Sequence, residues 1–278
     1  MSNPPPPHTH HADEKKYYGQ FDLPVDRFIF ERYFPDKNIK GIFVECGAFD
    51  GLTECSCKFF EESMAWDGYN IEPVPWVFEK LCENRPGSKN YNFALSDHNG
   101  TGVFKAVDHP VFGVNCTNGS LSHTERHANW LEEIECKIVE LDVKLRTWSD
   151  FVSEERVPYV DLLVLDVEGH ELSVIEGMQE ARVLPDLICI EIGHLDFNSI
   201  RSALEKLGYV YDISSYVNAF FVKLEKLPLF ALRRIDCAKV RPEVEIFEVD
   251  PEVESNMAGV RSCCFIDVIK KIKKHMRL

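Results

Sequence analysis

Val44-Glu45-Cys46-Gly47-Ala48-Phe49-Asp50-Gly51-Leu52-Thr53 is followed, about 20 residues past its glycines, by Tyr69-Asn70-Ile71-Glu72-Pro73. The first stretch is a Gly-x-x-x-Gly turn leaving an apolar strand, Ile42-Phe43-Val44, and is expected to open a helix at Thr53. The second reads as a strand that ends in an acid. This is the spacing of a mononucleotide-binding βαβ half, in which glycines let backbone approach a ligand and the acid accepts both ribose hydroxyls. A dinucleotide fingerprint would read Gly-x-Gly-x-x-Gly, with a helix N-terminus aimed at a pyrophosphate. Here Glu45 takes the first glycine position, and a carboxylate beside the turn repels pyrophosphate but suits a cation. The residues therefore favour S-adenosylmethionine, which carries an ammonium and a sulfonium and no phosphate, over a nicotinamide dinucleotide.

Working outward, strand and helix signals alternate. Gly68–Ile71 reads as a strand, and Pro75–Asn84 as a helix with Val77, Phe78, Leu81 and Cys82 on one face. Tyr91–Leu95 reads as a third strand, closed by the turn Ser96-Asp97-His98-Asn99-Gly100. Asp161–Leu165 and Leu187–Ile192 are apolar runs apart from Asp161 and Glu191, as strands buried on both faces are. Helices are expected at Leu172–Met178 and Ser199–Leu207, and an antiparallel pair at Tyr209–Ile213 and Ala219–Leu224. The fold class is α/β: a doubly wound, mostly parallel sheet of about seven strands, with a C-terminal antiparallel hairpin and helices on both faces. Residues 101–135 break the rhythm, and 108–124, rich in Gly, Asn, Ser and Thr, reads as an irregular acceptor-binding loop.

Residues 1–20 form a Pro- and His-rich arm, expected to be disordered; 21–227 form the domain, and 228–278 a C-terminal extension. That extension holds six acids between Glu243 and Glu254, then a basic amphipathic end (Ile269, Lys270, Lys271, Ile272, Lys273, Lys274, Met276, Arg277) suited to a partner or an anionic membrane surface. No apolar run reaches the roughly 18 residues of a transmembrane helix. A formal charge of -15 argues against nucleic acid as a partner. The ten cysteines lack zinc-site spacing and read as free thiols of a reducing, cytoplasmic compartment.

Four blocks resemble the FkbM-type methyltransferases, a branch of the class I, Rossmann-like S-adenosylmethionine-dependent enzymes. They are Phe43–Thr53, Trp66–Pro75, Asn92–Asp97 with Gly100 behind it, and Val160-Asp161-Leu162-Leu163-Val164-Leu165-Asp166-Val167-Glu168-Gly169-His170-Glu171-Leu172. The resemblance implies O-methylation of a hydroxyl, often on a sugar or glycoconjugate. It places Glu45 and Gly47 beside the methionine part of the donor, Glu72 on the ribose, and Ala94, Leu95 and Ser96 around the adenine. With Ala48, Gly51, Thr53, Pro73 and Asp166, these make up the expected cofactor site. Two departures stand out: the run Glu54-Cys55-Ser56-Cys57, and His170 where a small residue is common.

Methyl transfer to oxygen needs alignment and removal of a proton from a weakly acidic hydroxyl. Asp166 and Glu168 end one strand where ligands bind in open sheets, and Glu191 and His194 end the next. His194, with its near-neutral pKa, is the candidate base, with Asp166 and Glu168 beside it in the catalytic set. A competing reading makes Asp166, Glu191 and His194 ligands for magnesium or manganese; the metal-free base is preferred. Glu191, His109, Asn115, Asn118, Ser120 and His123 are candidates for acceptor binding. Two other functions stay open at this level, a nicotinamide-dependent oxidoreductase and a catalytically silent adaptor of the same fold.

Overall fold

Ile42, Phe43, Val44, Glu45 and Cys46 are all buried, because their strand lies inside a seven-stranded sheet covered on both faces. The computed structural model describes residues 17–21 and 23–240. The three arm histidines, the acidic stretch and the basic end lie outside the described residues. Helix α1 (Val25–Tyr33) precedes β1 (Ile42–Cys46), and α2 (Lys58–Met64), β2 (Asp67–Ile71), α3 (Pro75–Asn84) and β3 (Lys89–Tyr91) follow. A second group comprises β4 (Ala94–Leu95), β5 (Gly100–Asp108), α4 (Glu125–Glu133), β6 (Lys137–Arg146) and α5 (Trp148–Glu154). The chain then continues through β7 (Leu162–Leu165), α6 (Glu171–Glu176), β8 (Leu187–Glu191), α7 (Phe197–Lys206), β9 (Tyr209–Ser215), β10 (Asn218–Lys223) and α8 (Leu227–Val240).

The main sheet has the order β3-β2-β1-β7-β8-β10-β9. Its strands run parallel through β8, and β10 inserts antiparallel between β8 and β9. The order reverses between β1 and β7, and open α/β sheets bind ligands outside the strand ends at such a point. Side chains alternate across the sheet. Ile42, Val44 and Cys46 face a core that includes Trp148, Phe151, Val174 and Leu204, from α5, α6 and α7. Phe43 faces the other core, with Phe28, Phe59, Phe60 and Phe230 from α1, α2 and α8. The expected extension from residue 228 thus begins inside a packed helix, where Leu227, Phe230 and Ala231 are buried.

Four sequence expectations need correction. Tyr91–Leu95 is not one strand: Asn92 turns its amide back onto the carbonyls of Glu72 and Pro73 at 2.9 Å, and β3 and β4 join different sheets. The region of broken rhythm contains a second sheet, β4-β6-β5, with β5 and β6 paired from Gly100↔Leu145 to Asp108↔Lys137. It packs Phe104, Ala106, Val143 and Leu145 against Val74 and Val77 of α3 and its cap. Helix α2 starts at Lys58 and not at Thr53. Asp50 accepts from the amides of Leu52 and Thr53 at 2.9 and 2.7 Å, and Glu54 has φ 52°, so residues 50–54 form a turn. Within α3, Cys82 is exposed and not on the buried face.

The helix that starts late is held by an ion network. The Glu45 carboxylate accepts from the amides of Ser56 and Cys57 at 2.7 and 3.1 Å and pairs with Arg85 at 3.2 Å. Arg85 is fully buried and also grips Glu61. Removing one partner of such a pair leaves a buried charge uncompensated. Arg85→Ala is expected to cost about 3–5 kcal/mol, and adding Glu45→Gln to recover part of the loss. Denaturant unfolding of the single and double variants checks both.

Candidate functional site

A cavity of about 360 Å³ opens at the switch point. Its floor is the row of strand ends: Cys46 and Gly47 after β1, Ile71, Glu72 and Pro73 after β2, Asp166, Val167 and Glu168 after β7, and Glu191 at the end of β8. Ala94 and Leu95 of β4, with Phe104 and Ala106 of β5, supply an apolar side. The roof comes from Gln20 and Phe21, the 49–54 turn, residues 114–121 and Val217. Phe21 stacks on Tyr216 of the last hairpin with centroids 4.4 Å apart.

Glu72 is buried, and its two carboxylate oxygens accept from the amides of Phe49 at 3.1 Å and Val74 at 2.8 Å. Burial outweighs those two donors and raises its pKa to about 7. Such a group is poised for hydroxyl donors that favour its charged form. Gly47 has φ 84°, and its amide and that of Ala48 both donate to the carbonyl of Ile71 at 3.1 Å. A Cβ on Gly47 would stand 1.8 Å from the Asp166 carbonyl oxygen. Gly51 is needed for a different reason, because its Cβ would collide with Leu81 and Arg85 of the α3 end.

Several expected cofactor residues do not line the cavity. Glu45 points across the sheet to Arg85 and the α2 N-terminus, so its carboxylate is committed to the fold. Ala48 and Gly51 shape the turn from behind. Ser96 Oγ lies within hydrogen-bond distance, 3.0 Å, of His170 Nε2, and it is His170 that reaches the cavity. Gly47, Thr53, Glu72, Pro73, Ala94, Leu95 and Asp166 do line it.

The other end of the cavity is acidic. Asp166, Glu168 and Glu191 line that end; among the described residues none of them pairs with a lysine or arginine, and burial with repulsion from neighbouring carboxylates raises all three pKa values. Asp166 rises to about 6, with Glu54 and Glu45 adding to its burial, and Glu191 to about 8. Glu54, which the sequence reading left outside the site set, lines the same end. The loop that presents Asp166 and Glu168 is held by Glu171, which accepts from the amides of Val167 and Gly169 at 3.0 Å. The charge environment favours a cationic ligand.

Of the acceptor candidates, Asn118 and Glu191 line the cavity. Asn115 bonds Lys80 at 2.8 Å, and Ser120 donates to the Val167 carbonyl at 3.0 Å. His123 contacts the Asn118 carbonyl at 2.7 Å, and His109 organises its own tight turn through the amide of Val111. These four pin the 108–124 segment in place and do not face the cavity. His194 does, and its ring stacks on His127 at 4.1 Å, a residue that the sequence reading passed over. Asp166, Glu191 and His194 are not brought together as a ligand set; the group whose ligand atoms converge is His127, Glu168 and His194.

The methyltransferase FkbM domain model matches residues 45–211. The chain belongs to the FkbM methyltransferase family. It is a methyltransferase that uses S-adenosylmethionine, which replaces the oxidoreductase and adaptor alternatives. No curated protein matches the sequence. Among solved structures, TrmK of M. capricolum, in complex with S-adenosyl-homocysteine, aligns over 94% of this chain and 99% of its own at 9% identity and TM-score 0.40. A Pyrococcus furiosus methyltransferase aligns over 77% and 87% at 13% identity and TM-score 0.38. The METTL16 methyltransferase domain aligns over 72% of this chain at 8% identity and TM-score 0.39, and the chain spans 65% of that domain's length. Among the described residues no helix is long and apolar enough to cross a membrane.

Gly47→Ala is expected to lower stability by at least about 2 kcal/mol, since left-handed backbone and a carbonyl collision add up. A thermal midpoint equal to that of the parent would contradict the packing of β1 against β7.

Proposed function

We propose that the chain transfers the methyl group of S-adenosylmethionine to a hydroxyl of a sugar or glycoconjugate. The observation that carries this reading is the two-ended cleft, with a backbone-held Glu72 at one end and three carboxylates, Asp166, Glu168 and Glu191, with His194 at the other. Glu72 takes the ribose hydroxyls, Ala94 and Leu95 border the adenine, and Pro73 flanks both. Gly47, Thr53 and Asp166 surround the methionine part, whose ammonium and sulfonium suit the acidic end. Ala48, Gly51 and the Glu45 network hold the turn that makes this possible.

The acceptor enters beside Asn118, Glu168, Glu191 and His194. Its oxygen attacks the methyl carbon, the carbon–sulfur bond breaks with its electron pair going to sulfur, and S-adenosylhomocysteine leaves. His194 takes the hydroxyl proton, and Asp166 and Glu168 orient the oxygen. Burial, Arg126 and His123 lower the His194 pKa, so the ring is neutral and able to accept at pH 7. The net charge of -15 is unfavourable for a nucleic-acid acceptor. The free thiols of the described cysteines fit a reducing compartment such as the cytoplasm.

A donor carrying a labelled methyl group, offered with a panel of saccharides, tests the acceptor class. Label in a product stable to mild base is an ether and supports the reading; base-labile label is a carboxyl ester and overturns it. Glu72→Ala is expected to weaken donor binding by about 1–3 kcal/mol with the fold retained. Because ribose hydroxyls favour the charged carboxylate, the Glu72 contribution to donor affinity should be lost as pH drops below about 7. Glu72→Gln should lose that slope. Titration calorimetry across pH reads both effects. His194→Ala is expected to lower turnover about a hundredfold or more with donor affinity nearly unchanged, in single-turnover assays.

A further inference from the structure

His127 sits on α4 behind the cleft wall. Its ring is fully buried, yet neither ring nitrogen has a hydrogen-bond partner. His194 Nδ1 is likewise buried and unpartnered. Buried imidazoles normally donate one ring N–H and accept at the other nitrogen, so three idle nitrogens in two stacked rings call for a ligand. Glu168 completes the group: its Oε2 lies 3.5 Å from His127 Nδ1, and one ligand atom from each of the three residues falls within 4.8 Å of the others.

We propose that His127, Glu168 and His194 bind one divalent transition-metal ion of the zinc, cobalt or iron(II) type at the wall of the cleft. Two imidazoles and one carboxylate form a donor set for such ions, whereas magnesium and calcium prefer all-oxygen shells. A tetrahedral ion with bonds of about 2.0–2.2 Å sets its ligand atoms roughly 3.3–3.5 Å apart. His127 Nδ1 and Glu168 Oε2 already stand at that spacing, and the His194 ligand atom lies within 4.8 Å of both. Charge agrees with geometry. Burial and the neighbouring histidines push His127 down to about 4, which leaves it a neutral ligand, and repulsion from Asp166, Glu191 and Glu171 at Glu168 is relieved by a dication. Glu168 also adopts φ 56°, ahead of Gly169 at φ 112°, and this left-handed pair turns the strand end toward α4.

Glu168 and His194 line the cleft and His127 does not, so the open coordination positions face the acceptor side. An ion held there would supply Lewis-acid activation of an acceptor hydroxyl, and with His194 engaged as its ligand the proton would pass to Asp166 in place of His194. That role rests on the proposed methyl transfer; the metal site itself does not.

The full chain is stripped with a chelator, dialysed and titrated with cobalt(II), read by visible absorption and by metal analysis, with zinc as competitor. One equivalent per chain is expected, displaced by zinc and not by excess magnesium. His127→Ala, His194→Ala and Glu168→Gln should each weaken binding by about 100-fold or more, beyond the 10- to 100-fold typical of losing an outer partner. Replacing His8, His10 and His11 together with Ala should leave it unchanged. Circular dichroism monitors folding, and if His127→Ala unfolds, the two cleft-side variants decide. Absence of a bound equivalent, its loss with the arm histidines, or its survival in Glu168→Gln and His194→Ala overturns the proposal. Donor calorimetry on the same samples separates the two readings: cobalt bound without donor sinks the methyl-transfer scheme alone, and donor bound without cobalt sinks the metal site alone.

Discussion

The ends of β1 and β7 approach until a single added carbon on Gly47 would strike the Asp166 carbonyl. This contact brings two functional strand ends into one cavity. The β1–β7 pairing puts Cys46 beside Leu165, and the two chains then diverge, β1 into the 47–51 turn and β7 into the Asp166–Gly169 loop. Around that divergence the remaining parts are braced from outside the cavity. Glu171 ties down one loop, the Glu45–Arg85–Glu61 network anchors the other, and Ile71 accepts from both amides at the tip. Of the cleft's own carboxylates, Glu72 accepts two backbone amides and Glu191 accepts the Gly193 amide at 2.9 Å, so most of the bracing falls on groups outside it.

That division is visible in the electrostatics. A carboxylate in a packed protein is normally neutralised by a base, and Glu45 is. Among the described residues Asp166, Glu168 and Glu191 have no lysine or arginine partner, and a cation is the kind of ligand that would relieve three such groups together. In the proposed reading the donor would bring positive charge to this end, while the histidine pair offers nitrogen donors. Both features belong to one wall, built from β7, β8 and α4.

Much of this was legible in the chain. Strands buried on both faces announce themselves as continuous apolar runs, which is why β7 and β8 were placed within a residue or two, and Pro75 marks the start of α3. The second sheet was hidden because β6 exposes most of its residues, Ile138 and Val139 included, so only Leu141, Val143 and Leu145 show the alternation of a strand. Glu45 shows what a motif alone does not reveal: Cys46 and Gly47 after it line the cleft, whereas its own side chain meets Arg85, 40 residues away in sequence. His127 carries no local signal at all: a histidine on a polar helix gains its meaning only when α4 folds against the end of β8.

The placement of β10 has a consequence for synthesis of the protein. The last strand of the sheet lies between β8 and β9, so β9 has no neighbour to pair with until residues 218–223 have left the ribosome. The hairpin tip that carries Tyr216 and Val217 is set at the same moment, and with it the stack that seats Phe21 over the cavity. A growing chain therefore holds every strand-end carboxylate well before it holds a roofed cleft. Assembly of the roof joins residues nearly 200 positions apart, a long-range step of the kind that folds late.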